Sequence, residues 1–226
     1  MNIAVIPARG GSKRIPEKNI KPFAGKPIIA YSIIAALESN IFDRVIVSTD
    51  SSKIASVAEQ FGAEVPFLRS KTLSDDFTGT DAVVFDALAR IVTTGVTVDY
   101  ICCIYATAPF IRPQDLQQGF EMLKKSTASS AFTVTSFPYP IYRSLSVNEQ
   151  GYLKMIWPEH KMTRSQDLPE AVHDAAQFYL AKADRFMKEK TFWTDDVIPI
   201  YLPRQRVQDI DTPEDWGIAE KMFSIK

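Results

Sequence analysis

The chain has 226 residues, 46% of them apolar, and a formal charge of −1, enough for one large domain or one domain with a modest insertion around a sizeable core. Its near-neutral balance, with a pI of about 6.2, gives no broad field for nucleic acid or an anionic membrane, so the expected partner is a small anion. No signal-peptide pattern opens the chain, and no apolar run approaches the roughly 18 residues that span a bilayer. Cys102 and Cys103 are adjacent in an apolar run; neighbours on a strand point to opposite faces, so they read as reduced core residues of a cytoplasmic protein.

The first element is a short buried strand, Ile3 to Ile6. It feeds residues 6–20, Ile-Pro-Ala-Arg-Gly-Gly-Ser-Lys-Arg-Ile-Pro-Glu-Lys-Asn-Ile. Gly10 and Gly11 free the backbone to turn its N–H groups toward an anion, and Arg9, Lys13, Arg14, Lys18 and Lys21 stand against one acid, Glu17. A solvated basic loop is the plain alternative, but a double glycine directly after strand one, at the carboxyl edge of a parallel sheet, points to a phosphate cradle. The Walker pattern and Gly-x-Gly-x-x-Gly are both absent, which excludes a P-loop or a dinucleotide fingerprint.

A helix follows from about Pro27 to Glu38, then a strand Arg44 to Ser48, a helix Ser51 to Phe61, a strand Glu64 to Phe67, a helix Thr80 to Val92, a strand Tyr100 to Tyr105, a helix Pro113 to Lys124 and a strand Ser130 to Thr135. This alternation predicts an α/β fold with a mostly parallel sheet flanked by helices. The rhythm then breaks. Residues 137–172 read as an inserted β-rich arm, with a hairpin turn at Asn148 to Gly151; a dimer contact or lid and a plain surface hairpin are both open readings. The core resumes at Gln177 to Leu180 and Ile198 to Leu202, and a last helix is opened by Thr212 as N-cap and Pro213 at its first position.

Asp209 and Asp211 lie two apart on an extended segment, so both carboxylates face one side and could hold a hard cation such as Mg²⁺ with waters and phosphate oxygens. An acid-rich turn before a helix is the alternative, and it is the reading for Glu214 and Asp215, which the helix dipole favours. The metal reading gains from the basic loop, because a metal–triphosphate complex needs both a cationic cradle and a carboxylate clamp.

These residues, together with Val47-Ser48-Thr49-Asp50, Ala106-Thr107-Ala108-Pro109 and Asp209-Ile210-Asp211-Thr212, resemble the CMP-sialic acid synthetases nearly end to end. The resemblance implies a Rossmann-like, GT-A-like nucleotidyltransferase fold, a homodimer built through the inserted arm, and transfer of CMP from CTP to a nine-carbon 2-keto sugar acid with Mg²⁺. It places Ala8, Arg9, Gly10, Gly11, Ser12, Lys18 and Asn19 on the triphosphate, and Arg69 and Thr80, in Arg-x-x-x-Leu-x-x-Asp-x-x-x-Thr, on cytosine. Asp209 and Asp211 would bind metal, and Arg9, Lys18 and Asp211 would carry catalysis.

The second half departs from that family where the sugar is expected. The segment 173–179, His-Asp-Ala-Ala-Gln-Phe-Tyr, with Thr163-Arg164-Ser165-Gln166-Asp167-Leu168, is similar to the pseudaminic acid cytidylyltransferases of bacterial surface-glycan pathways. Tyr105, Thr107, Arg143, Arg164, His173, Asp174, Gln177 and Tyr179 are the expected sugar contacts, a changed set of polar partners for a changed stereochemistry. For Arg143 and Arg164 a solvated arginine is the alternative, for His173 a structural histidine; His160 reads as arm structure or rim. The expected reaction is direct displacement on the α-phosphate with no covalent enzyme intermediate. N-acetylneuraminic or legionaminic acid as substrate, or a catalytically silent nucleotide sensor, are the competing readings.

Overall fold

The computed structural model describes residues 1–225. Six strands form the central sheet in the order β10-β6-β9-β5-β1-β4: β1 (Asn2–Pro7), β4 (Arg44–Ser48), β5 (Tyr100–Ile104), β6 (Ser130–Ser136), β9 (Val172–Lys182) and β10 (Val197–Tyr201). β1 pairs in parallel with β4 and β5, and β10 with β6, while β9 runs antiparallel between β5 and β6. Two small ribbons lie outside the sheet, β2 (Pro22–Phe23) with β3 (Lys26–Pro27), and β7 (Leu145–Val147) with β8 (Leu153–Met155).

Alternation along the strands divides the core. Ala4, Ile6, Cys102 and Leu180 face α1 (Ile28–Glu38), α2 (Ser52–Gln60) and α4 (Pro113–Lys124) through Ile29, Ile33, Ile54, Leu116 and Phe120. Ile3, Val5, Ile101 and Cys103 face α3 (Thr80–Val92) and α5 (Ala183–Glu189) through Val84, Leu88, Ile91 and Phe186. The two cysteines are fully buried on opposite faces. A third cluster gathers Ile15, Phe23, Ile28, Phe110, Ile210 and Trp216, so the basic loop and the segment before α6 (Pro213–Ser224) share one apolar anchor.

Several expectations are corrected. Glu64 to Phe67 makes only isolated bridges, Ile46 with Glu64 and Thr49 with Leu68, because Pro66 has no N–H to give a ladder. Pro27 closes β3 and caps α1 from outside instead of opening the helix. β9 begins five residues earlier than Gln177, so His173 and Asp174 lie inside a strand and not in a polar break. Its register against β6 shifts between Phe132 and Val134, and Ala176 takes a left-handed φ of 50°. That bulge breaks the two-residue period on which strand recognition rests. The turn at Asn148 to Gly151 does join β7 to β8: Asn148 Oδ1 accepts from Gln150 and Tyr152 amides, and Gly151 supplies the positive φ of 83°.

Thr212 and Asp215 form a reciprocal capping box at the start of α6. Thr212→Ala is expected to lower stability by about 1 kcal/mol, read as a lower denaturant midpoint with unchanged slope.

Candidate active site

At the carboxyl edge of the parallel strands, loops after β1 and β5, the stretch before α3 and the segment before α6 surround a cavity of about 540 Å³. The structure brings Arg9, Ser12, Lys18, Asn19, Arg69, Thr80, Tyr105, Thr107 and Asp211 to its walls. The location follows from chain direction, since five of the six strands point their carboxyl ends to this side.

The cradle's cations hold the chain's own carboxylates. The Arg9 guanidinium donates to the Asp75 carbonyl at 2.7 Å and to Asp76 Oδ1 at 2.7 Å, and Lys13 pairs with the same Asp76. These two cations hold the Asp76 carboxyl below its ordinary value. Lys18 Nζ donates to the Ile210 carbonyl at 2.6 Å and sits 3.2 Å from Asp211 Oδ1, with the Arg14 guanidinium 3.0 Å from that same oxygen. Asn19 is buried, and its side-chain amide donates to the Arg9 carbonyl at 2.9 Å, fixing the loop rather than being free for a ligand.

Asp75 builds its own loop. Its Oδ1 accepts from the Phe77 and Thr78 amides and from the Thr78 hydroxyl, which bends the chain so that Asp76 reaches Arg9 and Lys13. Arg69 is 5% exposed, donates from Nε to the Ser74 hydroxyl at 3.1 Å and lines the cavity. Burial pulls its guanidinium below its ordinary value, opposed by Asp50 and reinforced by the like charge of Arg9.

On the other wall, Tyr105 lies beside Thr80 and Tyr179, and the Tyr179 hydroxyl donates to Asp174. The two phenol rings lie 5.4 Å apart. Burial, first of all, raises both phenols above their ordinary values, so both stand as neutral hydroxyls. Tyr179 lines a smaller side cavity of about 210 Å³ that shares Thr80 and Tyr105 with the main one.

Other expected residues lie elsewhere. Ala8 is fully buried, and the Gly10 amide donates to Asp50 Oδ1 at 2.8 Å, so with Gly11 these backbone positions shape the loop and do not line the cavity. A Cβ on Gly10 would sit 3.1 Å from Ser51 Cβ, a tight approach to the residue that caps α2. Gln177 is 3% exposed, donates to the Arg206 carbonyl at 2.5 Å, and is withdrawn from the cavity by the β9 bulge. His173 Nδ1 donates to the Asp174 carbonyl at 2.8 Å, its ring lies 4.9 Å from that of Phe137, and it lines a separate cavity with Arg204 and Gln208. Arg143 binds the Thr163 carbonyl, and Arg164 binds Asp167 at 2.6 Å, both inside the arm.

Asp209 is not on the cavity wall. Its carboxyl is raised above the ordinary value by desolvation and then by the like charge of Asp211, with Lys18 opposing. Two hard oxygen donors that repel each other suit a divalent cation, yet among the described residues no group of three His, Cys, Asp or Glu forms a metal cluster. The pair fits Mg²⁺ only where phosphate oxygens or water complete the shell. Asp76 escaped functional assignment in the sequence although it stands inside the Arg-x-x-x-Leu-x-x-Asp motif. Five cations against one acid in residues 9–21 are the signal that a carboxylate must arrive from elsewhere.

Solved structures share this architecture. CMP:2-keto-3-deoxy-manno-octonic acid synthetase complexed with CTP superposes with a TM-score of 0.72 over 99% of this chain and 98% of that one, at 17% identity. The 4-diphosphocytidyl-2C-methyl-D-erythritol synthase of Anaerococcus prevotii gives 0.66 at 13% identity, over 99% and 98% of the two chains. At such identities the likeness shows the fold alone. Sequence goes further: the family model described as cytidylyltransferase matches residues 3–212, and the chain belongs to that family. It is 42% identical to the pseudaminic acid cytidylyltransferase of Campylobacter jejuni, over 99% of this chain and 97% of the relative. It is 36% identical to the CMP-N,N'-diacetyllegionaminic acid synthase of Legionella pneumophila, over 99% and 96%. Against N-acylneuraminate cytidylyltransferase A of Danio rerio it is 34% identical over 96% of this chain and 50% of the relative.

Asp76 competes with any anion for Arg9 and Lys13. Asp76→Asn is expected to tighten binding of inorganic pyrophosphate about two- to fivefold, the range of an exposed ion pair; calorimetric titration checks it, and weaker binding would contradict the competition.

Proposed function

We infer that this cytidylyltransferase transfers CMP from CTP to the anomeric hydroxyl of a nine-carbon 2-keto sugar acid, pseudaminic acid, releasing pyrophosphate. The observation that carries the reading is the single cavity in which the basic loop and Asp211 face Arg69 and Thr80. Full-length 42% identity to a pseudaminic acid cytidylyltransferase, against 36% to a legionaminic acid synthase, supports the choice of sugar.

The chemistry needs little covalent work from the protein. The anomeric oxygen attacks the α-phosphorus, its proton leaves as the P–O bond forms, and the bond to the bridging oxygen breaks as pyrophosphate departs. Arg9, Lys13 and Lys18 exchange their internal carboxylates for triphosphate oxygens and spread the developing charge. Ser12 and Asn19 hold the loop's shape against the phosphates. Arg69 and Thr80 meet the cytosine end, where a rigid buried arginine offers fixed donors.

Asp209 and Asp211 would hold Mg²⁺ together with phosphate oxygens, and the ion would supply charge neutralisation at the reacting phosphate. Tyr105 and Thr107 open the sugar side, where neutral phenol donors suit hydroxyl and amide groups. The arm presents Leu145, Val147, Tyr152, Leu153 and Met162 to solvent, an apolar surface that fits a homodimer contact. In such a dimer the arm residues Arg143 and Arg164 would face the carboxylate of a sugar acid bound by the other subunit. No helix among the described residues is long and apolar enough to cross a membrane, and consumption of CTP suits a cytoplasmic enzyme.

Pyrophosphate release from CTP and Mg²⁺ with pseudaminic, legionaminic or N-acetylneuraminic acid tests the assignment. Pseudaminic acid is expected to give the highest kcat/KM, and release with none of them would leave a nucleotide sensor. Asp211→Ala is expected to abolish turnover with the fold intact, and near-normal turnover at saturating Mg²⁺ would remove it from the metal site. Lys18→Ala is expected to slow the reaction at least tenfold, about 1.4 kcal/mol of barrier, in a single-turnover assay.

A further inference from the structure

We propose that Gln177, Arg206 and Asp115 form a buried brace that positions the Asp209–Asp211 segment for the metal–nucleotide complex; the assignment of that segment to metal rests on the reading above. Residues 207–211 belong to no strand or helix, so no ladder of backbone bonds sets where the two carboxylates stand. Between the two carboxylates Ile210 is anchored in the third apolar cluster and its carbonyl accepts from Lys18, and the segment's two ends fix what lies on either side.

The rear end is held by the capping box, where Asp215 accepts from the Asp211 and Thr212 amides. The front end is Arg206. Its guanidinium makes a two-pronged pair with Asp115 on α4, at 2.5 and 3.0 Å, and both side chains are only 11% exposed. Its carbonyl accepts from Gln177 Nε2 at 2.5 Å. The fork fixes the direction of the side chain and the amide fixes the backbone, so two independent restraints act on one residue three positions before Asp209.

Gln177 directly follows the left-handed Ala176 of the β9 bulge. Its own carbonyl accepts from the Tyr105 amide at 2.9 Å. One residue therefore ties the cavity wall at Tyr105 to the segment that carries the carboxylates. A buried charged pair contributes little net stability beside an apolar substitute, which leaves orientation as its stronger use. The three residues are positioning residues and touch no substrate.

The test uses Gln177→Leu, which keeps the volume and deletes the amide, and Arg206→Lys, which keeps the charge and deletes the fork. Ser130→Ala serves as control, because it removes a buried hydroxyl bond to the Phe192 carbonyl at the far end of β6. Mn²⁺ is titrated into full-length enzyme plus CTP without sugar acid, followed by electron paramagnetic resonance, with CTP and Mn²⁺ alone as blank. Both brace variants are expected to weaken Mn²⁺ binding roughly tenfold, the effect of partners that orient metal ligands, and to speed hydrogen exchange in 207–211. Ser130→Ala is expected to lower the melting temperature without moving Mn²⁺ affinity.

Brace variants that lose only melting temperature, like the control, would overturn the proposal, as would wild-type enzyme that binds no Mn²⁺ beyond the blank. Because the titration contains no sugar acid, failure of turnover with every sugar would defeat the proposed substrate and leave this result readable.

Discussion

The structure depends on one apolar anchorage. Ile15, from the basic loop, and Ile210, from between Asp209 and Asp211, are both buried in the cluster around Phe23 and Trp216. That packing brings Lys18 to the Ile210 carbonyl, 192 positions on, and to Asp211. Charge alone would not hold them, since exposed ion pairs contribute little and are screened. The hydrophobic contact sets the geometry, and the polar contacts use it.

Four of the cradle's five cations are paired within the chain: Asp76 holds Arg9 and Lys13, and Asp211 holds Arg14 and Lys18. These pairs keep the cations turned inward, at the cost of a competitor that a nucleotide must displace. Asp76 sits on a loop organised by Asp75 and not on the sheet, so the competitor is carried by one of the more easily rearranged parts of the site.

The antiparallel β9 shapes the other wall. Inserted between β5 and β6, it brings Tyr179 under Tyr105 and points Gln177 toward Arg206. A parallel strand in that place would need a crossover helix on a sheet face, whereas β9 enters directly from the arm. The same bulge that feeds the wall therefore also braces the carboxylate segment.

By itself the sequence determined the elements and the class of chemistry. Short apolar runs marked β1, β4, β5 and β6, Thr212-Pro213 marked the start of α6, and the glycine-basic run after β1 marked the phosphate edge, because these signals are local and concern the backbone or its immediate neighbours. The tertiary structure decided the rest. Pro66 removed an expected strand, the left-handed Ala176 hid the first five residues of β9, the Gly10 amide found Asp50, and Gln177 turned inward. Asp76 and the Asp115–Arg206 pair took their partners from 63 to 91 positions away, and a pairing across that separation is fixed by packing, which no local pattern of residues encodes.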